Sequence, residues 1–250
     1  MKRDYNLNDR QNDVLKLIII SHINSAAPVG SAFISRKLDL SSATIRNVMG
    51  ELEEMGYLGK PHTSAGRVPT SSGYRYYVNN LLEFDALADR YKRYIDRESC
   101  TDRTDCIEAM LGRISHILSV MTKYAGIACM SNLKFYIEGT SNMIDIPEFS
   151  DPVRIRALLK LFDEKTELMR LLNEDLTTEG VKIHIGDEER NEALTDLSFI
   201  TSNYKVRDDK KGSLGVLGPM RMNYAGLIPL VDYISRTLEE VFEEMEIESD

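Results

Sequence analysis

The chain has 250 residues, with 31 Lys+Arg against 40 Asp+Glu and a formal net charge of −9. Two domains are the better expectation at this length, and a content of 42% hydrophobic and 28% charged residues excludes a wholly disordered or collagen-like chain. The apolar run Leu17–Ile20 is far short of the roughly 20 residues of a membrane span, no signal-like leader opens the chain, and Cys100, Cys106 and Cys129 form no C-x-x-C pair; the expectation is a cytoplasmic protein with no membrane association, disulfide framework, zinc site or cofactor.

Charge is unevenly spread. Residues 1–80 hold 4 Lys and 6 Arg against 4 Asp and 3 Glu, a net of +3, so the remainder carries −12. The basic end is the candidate for nucleic acid. A first helix opens at Asn8, a good N-cap with Gln11 three residues later as in a capping box and Asp9 favouring the helix dipole. Its apolar face is Val14, Leu15, Ile18 and Ile19. Pro28-Val29-Gly30 ends that element, and Ser31 is placed to cap a short second helix with Phe33, Ile34 and Leu38 inward, followed by a turn at Asp39-Leu40. Ser41 caps a third helix, with Leu40 and Ile45 spaced as a hydrophobic staple and Ile45, Val48, Met49, Leu52 and Met55 at helical spacing; Gly56 ends it.

On the face opposite that stripe, Ala43, Arg46, Asn47 and Gly50 occupy the N-terminal half, whereas Glu51, Glu53 and Glu54 crowd the C-terminal half. Only the first half suits phosphates. This is the pattern of a recognition helix entering a major groove by its N-terminus, with the Ser41, Ser42 and Thr44 hydroxyls at the backbone and Arg46 and Asn47 reaching base edges. An ordinary amphipathic core helix is the bland alternative. Residues 57–60 and 67–69 then read as short strands joined by the tip Pro61-His62-Thr63-Ser64-Ala65-Gly66, which makes a wing whose Lys60 and Arg67 suit phosphates. Thr70 caps a fourth helix, residues 74–82, whose aromatics pack rather than stack on bases. No acidic residue lies between Glu54 and Glu83, while Lys60, Arg67 and Arg75 do.

The strings Pro28-Val29-Gly30-Ser31, Ser42-Ala43-Thr44-Ile45-Arg46-Asn47, Pro61 through Thr70, and Gly73-Tyr74-Arg75-Tyr76-Tyr77-Val78 resemble the DNA-binding domain of the heat-inducible transcription repressor HrcA family. Ile185-Gly186-Asp187-Glu188, Ser198-Phe199-Ile200 with Tyr204, and Leu214 through Tyr224 resemble that family's C-terminal domain. The resemblance implies a bacterial repressor that binds double-stranded DNA as a homodimer at an inverted repeat of the CIRCE type upstream of chaperone operons. It also implies a GAF-like second domain with an inserted dimerisation subdomain, and support from a GroEL-type chaperonin. The DNA-contact set expected on both grounds is Ser31, Ser41, Ser42, Ala43, Thr44, Arg46, Asn47, Lys60, His62, Thr63, Ser64, Arg67 and Arg75.

The expected organisation is a winged helix over residues 1–84, a linker over 85–104 containing a charged helical stretch at 91–97, and a reduced GAF-like α+β domain over 105–250. Residues 102–124 carry Ile107, Met110, Leu111, Ile114, Ile117, Leu118 and Met121 at helical spacing. Family members hold further strands and the inserted subdomain between the equivalents of Met130 and Ile137, where this chain has only residues 131–136. The chain is therefore either a shortened lineage that dimerises elsewhere, with the 102–124 helix as first choice and the C-terminal helix as second, or a degenerate copy. Beyond the gap a helix from Asp151-Pro152 turns Ile155, Leu158, Leu159, Phe162, Leu168, Leu171 and Leu172 inward. Strands follow near 181–185, 197–201 and 212–217, with a last helix over 224–245.

Catalysis has little to stand on. Gly212, Gly215 and Gly218 lack the spacing of a phosphate cradle. His22, His116 and His184 fall on separate elements as packed or surface residues, Cys129 reads as a small core residue, and Arg154, Arg156 and Arg221 as surface ion pairs. A ligand-sensing winged-helix regulator with a GAF-like pocket ranks second to the repressor, and an enzyme a distant third.

Overall fold

Residues 6–61, 66–99, 107–130, 134–176, 179–189, 194–206 and 210–247 are described by the computed structural model. The chain divides into two units, residues 1–83 with 220–223 and residues 84–219 with 224–250. In the first unit, α1 (Asp9–Ser25) begins at a complete capping box: Gln11 N donates to Asn8 Oδ1 and Asn8 N to Gln11 Oε1, both at 3.0 Å. Its buried stripe is Val14, Leu15, Ile18 and Ile19. The cap of α2 (Ser31–Leu38) is Gly30, not Ser31; Ser31 is the first helical residue and its hydroxyl lies 3.0 Å from that of Ser42. Of the residues expected inward on α2 only Ile34 is buried, and Phe33 is 40% exposed. A helix of about two turns meets the core along one narrow line, so a residue next to the buried one points away.

Ser41 caps α3 (Ser42–Glu54) by accepting from Thr44 N at 3.0 Å. Its far end closes with Tyr57 N donating to Leu52 O and Gly56 N to Glu53 O, the paired bonds of a Schellman turn, with Gly56 at φ 82° where a side chain would be strained. The chain then makes β1 (Leu58–Gly59) and β2 (Val68–Pro69), antiparallel with Leu58 opposite Pro69 and Gly59 opposite Val68. Thr70 caps α4 (Ser71–Asn80), accepting from Gly73 N while donating to Gly56 O at 2.7 Å. Tyr57, Tyr74 and Tyr77 are buried, and Tyr76 donates to Asn12 Oδ1, so the tyrosines build the core of this unit.

The second unit takes in part of the stretch expected to be a linker. Within it α5 (Asp89–Ser99) buries Ile95, and Tyr233 donates to Asp96 at 2.8 Å. The elements that follow are α6 (Ile107–Thr122), β3 (Ala125–Met130), β4 (Lys134–Glu138), α7 (Thr140–Ile144), α8 (Pro152–Glu164), α9 (Thr166–Asp175), β5 (Lys182–Ile185), β6 (Leu197–Lys205), β7 (Lys211–Pro219) and α10 (Tyr224–Ile247). The strands form one antiparallel sheet in the order β4-β3-β7-β6-β5. Alternation sends Ala125, Ile127, Cys129, Leu197, Phe199 and Leu217 to a core shared with Phe149, Leu158, Phe162, Leu168 and Leu172 of the α7–α9 side. Helices α6 and α10 cover the opposite face. The α+β class is as expected from the sequence.

Three expectations for this unit change. The stripe offered for dimerisation on α6 is used internally: Met110, Leu111, Ile114, Ile117 and Leu118 are buried against the chain's own sheet, so it is not a free pairing surface. The run from Pro152 is two helices, because Lys165 adopts a left-handed conformation at φ 55° between α8 and α9, and Leu159, expected inward, is exposed. Strand β4 has no counterpart in the sequence reading. It pairs directly with β3 from Gly126↔Glu138 through Met130↔Lys134, which places it at the edge of the sheet. Within β7, the glycine at 212 is required because a Cβ there would overlap the Tyr204 ring, whose hydroxyl donates to Cys129 O at 2.7 Å.

Candidate nucleic-acid interface

The recognition-helix residues separate as the sequence pattern implied. Ile45, Val48, Met49 and Leu52 are buried, and Ser41, Ala43, Arg46 and Asn47 are exposed. Capping consumes the Thr44 N–H, and Ile45 N donates to Ser41 O, which leaves the backbone N–H groups of Ser42 and Ala43 as the helix's outward donors. The hydroxyls form two pairs: Ser41 Oγ lies 2.8 Å from Thr44 Oγ1 and Ser42 Oγ lies 3.0 Å from Ser31 Oγ, while Arg46 Nη2 reaches Ser42 Oγ at 3.5 Å. Ser31 therefore enters the site by steadying the start of α3. Arg46 is held only weakly, so its guanidinium is available for a base edge or phosphate.

The acidic C-terminal half of α3 has an internal purpose that the sequence did not reveal. Glu51 Oε2 accepts from Gln11 Nε2 at 2.8 Å, tying α3 to the capping residue of α1. Glu53 Oε2 lies 2.7 Å from Arg67 Nη2. Two of the three carboxylates that make this half unfit for phosphates are thus ties within the domain.

The wing is built from its base. Arg67 pairs with Val29 through two backbone bonds, Val29 N to Arg67 O at 2.8 Å and Arg67 N to Val29 O at 2.9 Å. This joins two strings, Pro28-Val29-Gly30 and Gly66-Arg67-Val68, that are far apart in sequence. Gly66 permits the approach, since a Cβ at that position would overlap the Val29 carbonyl oxygen and sit 2.5 Å from Val29 C and 2.9 Å from Gly30 N. Lys60 is exposed beside the wing strand. The Arg67 side chain, 19% exposed, pairs with Glu53. Arg75 is half-buried on α4 and already engaged. His62, Thr63 and Ser64, the tip residues of the expected set, lie outside the described residues.

Elsewhere His22 and His184 are partnered within their own units, and His116 is exposed. His22 Nδ1 is 2.7 Å from the Tyr74 hydroxyl. His184 Nε2 is 2.9 Å from Asp175 Oδ2, which also accepts from Thr201 Oγ1 at 2.5 Å. Cys129 is buried, and burial pushes its thiol up to about 11.

Three helices, a capped recognition helix with an exposed N-terminal half and a two-stranded wing define a winged helix-turn-helix protein. The family model described as "Winged helix-turn-helix transcription repressor, HrcA DNA-binding" matches residues 6–82, and that described as "HrcA protein C terminal domain" matches residues 128–228. The chain is 30% identical over 338 positions to the Heat-inducible transcription repressor HrcA of Geobacter sulfurreducens, covering 95% of this chain and 98% of the relative. It is 28% identical over 342 positions to the repressor of the same name from Syntrophobacter fumaroxidans, with the same two coverages. The first alignment outruns the 250 residues of this chain by 88 positions, so the relative holds a stretch for which this chain has no counterpart. A crystal structure described as that of a hypothetical protein shares the fold, with a TM-score of 0.74 at 20% identity over 96% of this chain and 98% of that one. The chain belongs to the HrcA family of heat-inducible transcription repressors.

Proposed function

We propose that this chain represses chaperone operons in the bacterial cytoplasm by binding, as a homodimer, an inverted-repeat operator of the CIRCE type. The observation that carries the reading is the split character of α3: an exposed, acid-free first half with Arg46 and Asn47 side by side, and a second half whose Glu51 and Glu53 are spent on internal ties. Arg46 and Asn47 read base edges in the major groove. The Ser42 and Ala43 amides and the Ser41 and Thr44 hydroxyls meet the phosphates at the helix N-terminus. Lys60 and the wing tip lie along the neighbouring backbone.

A single winged helix buries too little for tight specific binding, so two copies meet the two half-sites. A GroEL-type chaperonin keeps the repressor in its binding-competent form, which links operator occupancy to the supply of free chaperonin. An electrophoretic shift on a CIRCE duplex against a scrambled duplex of equal length tests the function. Equal binding to both would leave a nonspecific DNA binder and remove the operator reading.

A further inference from the structure

Three parts of the DNA-binding unit meet at Arg67. Its backbone pairs with Val29 in the α1–α2 loop, it leads into β2, and its guanidinium binds Glu53 on the recognition helix at 2.7 Å. The Arg67 side chain is 19% exposed and that of Glu53 35%. The Arg67 Nε is buried without a hydrogen-bond partner among the described residues, so Glu53 is the acceptor that offsets the cost of burying this guanidinium. Gly66, one residue before Arg67, packs on the Val29 carbonyl. The Gly66–Arg67 segment that leads into β2 is thereby held by a side-chain tie to α3 and a backbone tie to the loop before α2.

We propose that Glu53 is a positioning residue for operator binding: its carboxylate holds Arg67, and through Arg67 the wing, at a fixed angle to the recognition helix, so that helix and wing engage the duplex as one rigid unit. This deepens the DNA-binding reading and rests on it. It also assigns Arg67 away from the phosphates, and it explains why a carboxylate is present on a helix that approaches a polyanion.

The two roles predict opposite signs. If Glu53 were only a charge near DNA, Glu53→Gln or Glu53→Ala would relieve repulsion and tighten binding. As a positioning residue, its loss weakens binding by roughly three- to tenfold, the scale of one partly buried charge-assisted contact. The slope of log affinity against log salt stays at the parent value, because no phosphate contact is removed. Arg67→Ala gives the same loss with the same unchanged slope, and the swap Glu53→Arg with Arg67→Glu, which conserves net charge, recovers part of it.

The experiment is fluorescence anisotropy of full-length parent, Glu53→Gln, Glu53→Ala and the swapped pair on the CIRCE duplex at several salt concentrations, together with amide hydrogen exchange of the free proteins. Exchange at the Val29 and Arg67 amides should rise in Glu53→Ala while the α1 amides stay protected, a readout that needs no DNA and shows that the variant is folded. Unchanged protection at Val29 and Arg67, or tighter binding by Glu53→Gln, overturns the positioning role. A parent that ignores the CIRCE duplex while the exchange result holds overturns the operator reading instead and leaves the wing tie standing.

Discussion

Replacing Gly66 by Ala tests whether the wing must be docked for DNA to be bound. The added Cβ would lie 2.5 Å from Val29 C and 2.9 Å from Gly30 N, both backbone atoms that no rotamer change can move aside. An ordinary carbon–carbon contact is about 3.5–4.0 Å, so the two segments must separate by about 1 Å. The bonds that join them are 2.8 and 2.9 Å long, and lengthening each by that much takes both beyond the distance of a hydrogen bond. At about 1 kcal/mol net for each bond, the substitution biases the wing by about 2 kcal/mol against docking. If the undocked wing does not bind and docking in the parent is near balance, that bias is up to about a thirtyfold loss of affinity, from the rule that 1.4 kcal/mol is tenfold. The assay is anisotropy on the operator duplex, paired with thermal unfolding. Since the atoms nearest the added Cβ belong to the α1–α2 loop and not to α1 or α3, the unfolding temperature should change less than the affinity. A Gly66→Ala protein that binds within twofold of the parent would refute the reasoning, either because the backbone relaxes at no cost or because the wing is dispensable.

Other substitutions follow from the same geometry. Arg46→Ala and Asn47→Ala should each cost about 1–3 kcal/mol on the operator and almost nothing on a scrambled duplex, if they contact base edges. Ser41→Ala removes the acceptor for Thr44 N and should lower the stability of the first unit by about 1 kcal/mol in chemical denaturation. Ile114→Asp with Leu118→Asp should unfold or aggregate the second unit, each change burying an unpaired carboxylate. A stable, soluble monomer from that pair would place the stripe at a subunit contact after all. Burial raises the Cys129 thiol from 9.0 to about 11 and raises the Tyr204 hydroxyl as well, so the folded state keeps protons that the unfolded state has released. That contribution is full below pH 9 and is lost as pH climbs from about 9 to 11, at up to about 2–3 kcal/mol for the thiol; denaturation midpoints across that window measure it. A midpoint that rises there would contradict the buried placement of Cys129.

Local signals alone carried the frame of the DNA-binding unit. Asn8 with Gln11, Ser41 with Thr44, Thr70 with Gly73 and the terminating Gly56 are contacts between residues at most a few positions apart, so their chemistry is written in order along the chain. The apolar stripe of α3 and the acid-free face opposite are likewise properties of one helix, which is why Arg46 and Asn47 were legible as candidates. What the sequence could not supply are partners from distant segments. Glu53 and Arg67 are fourteen residues apart, and Val29 and Arg67 thirty-eight, with nothing in either string that names the other. Residue type alone therefore read Arg67 as a cation for phosphate and could not show the Glu53 carboxylate that the fold brings to its guanidinium.

The same limit governs the second unit. Helical periodicity marked the stripe of α6 but not its cover, because a stripe facing a sheet and one facing a second copy have the same 3.6-residue repeat. The left-handed Lys165 that splits α8 from α9 lacks the glycine that usually announces such a turn. Strand β4 carries no alternation clean enough to read alone, since Phe135 and Ile137 find their core only after β3 pairs beside them. Sequence determined where helices start, which faces are apolar and which end is basic, since these depend on neighbours in the chain. Tertiary structure decided which charges are spent on ties and which stay free, since burial and pairing depend on neighbours in space.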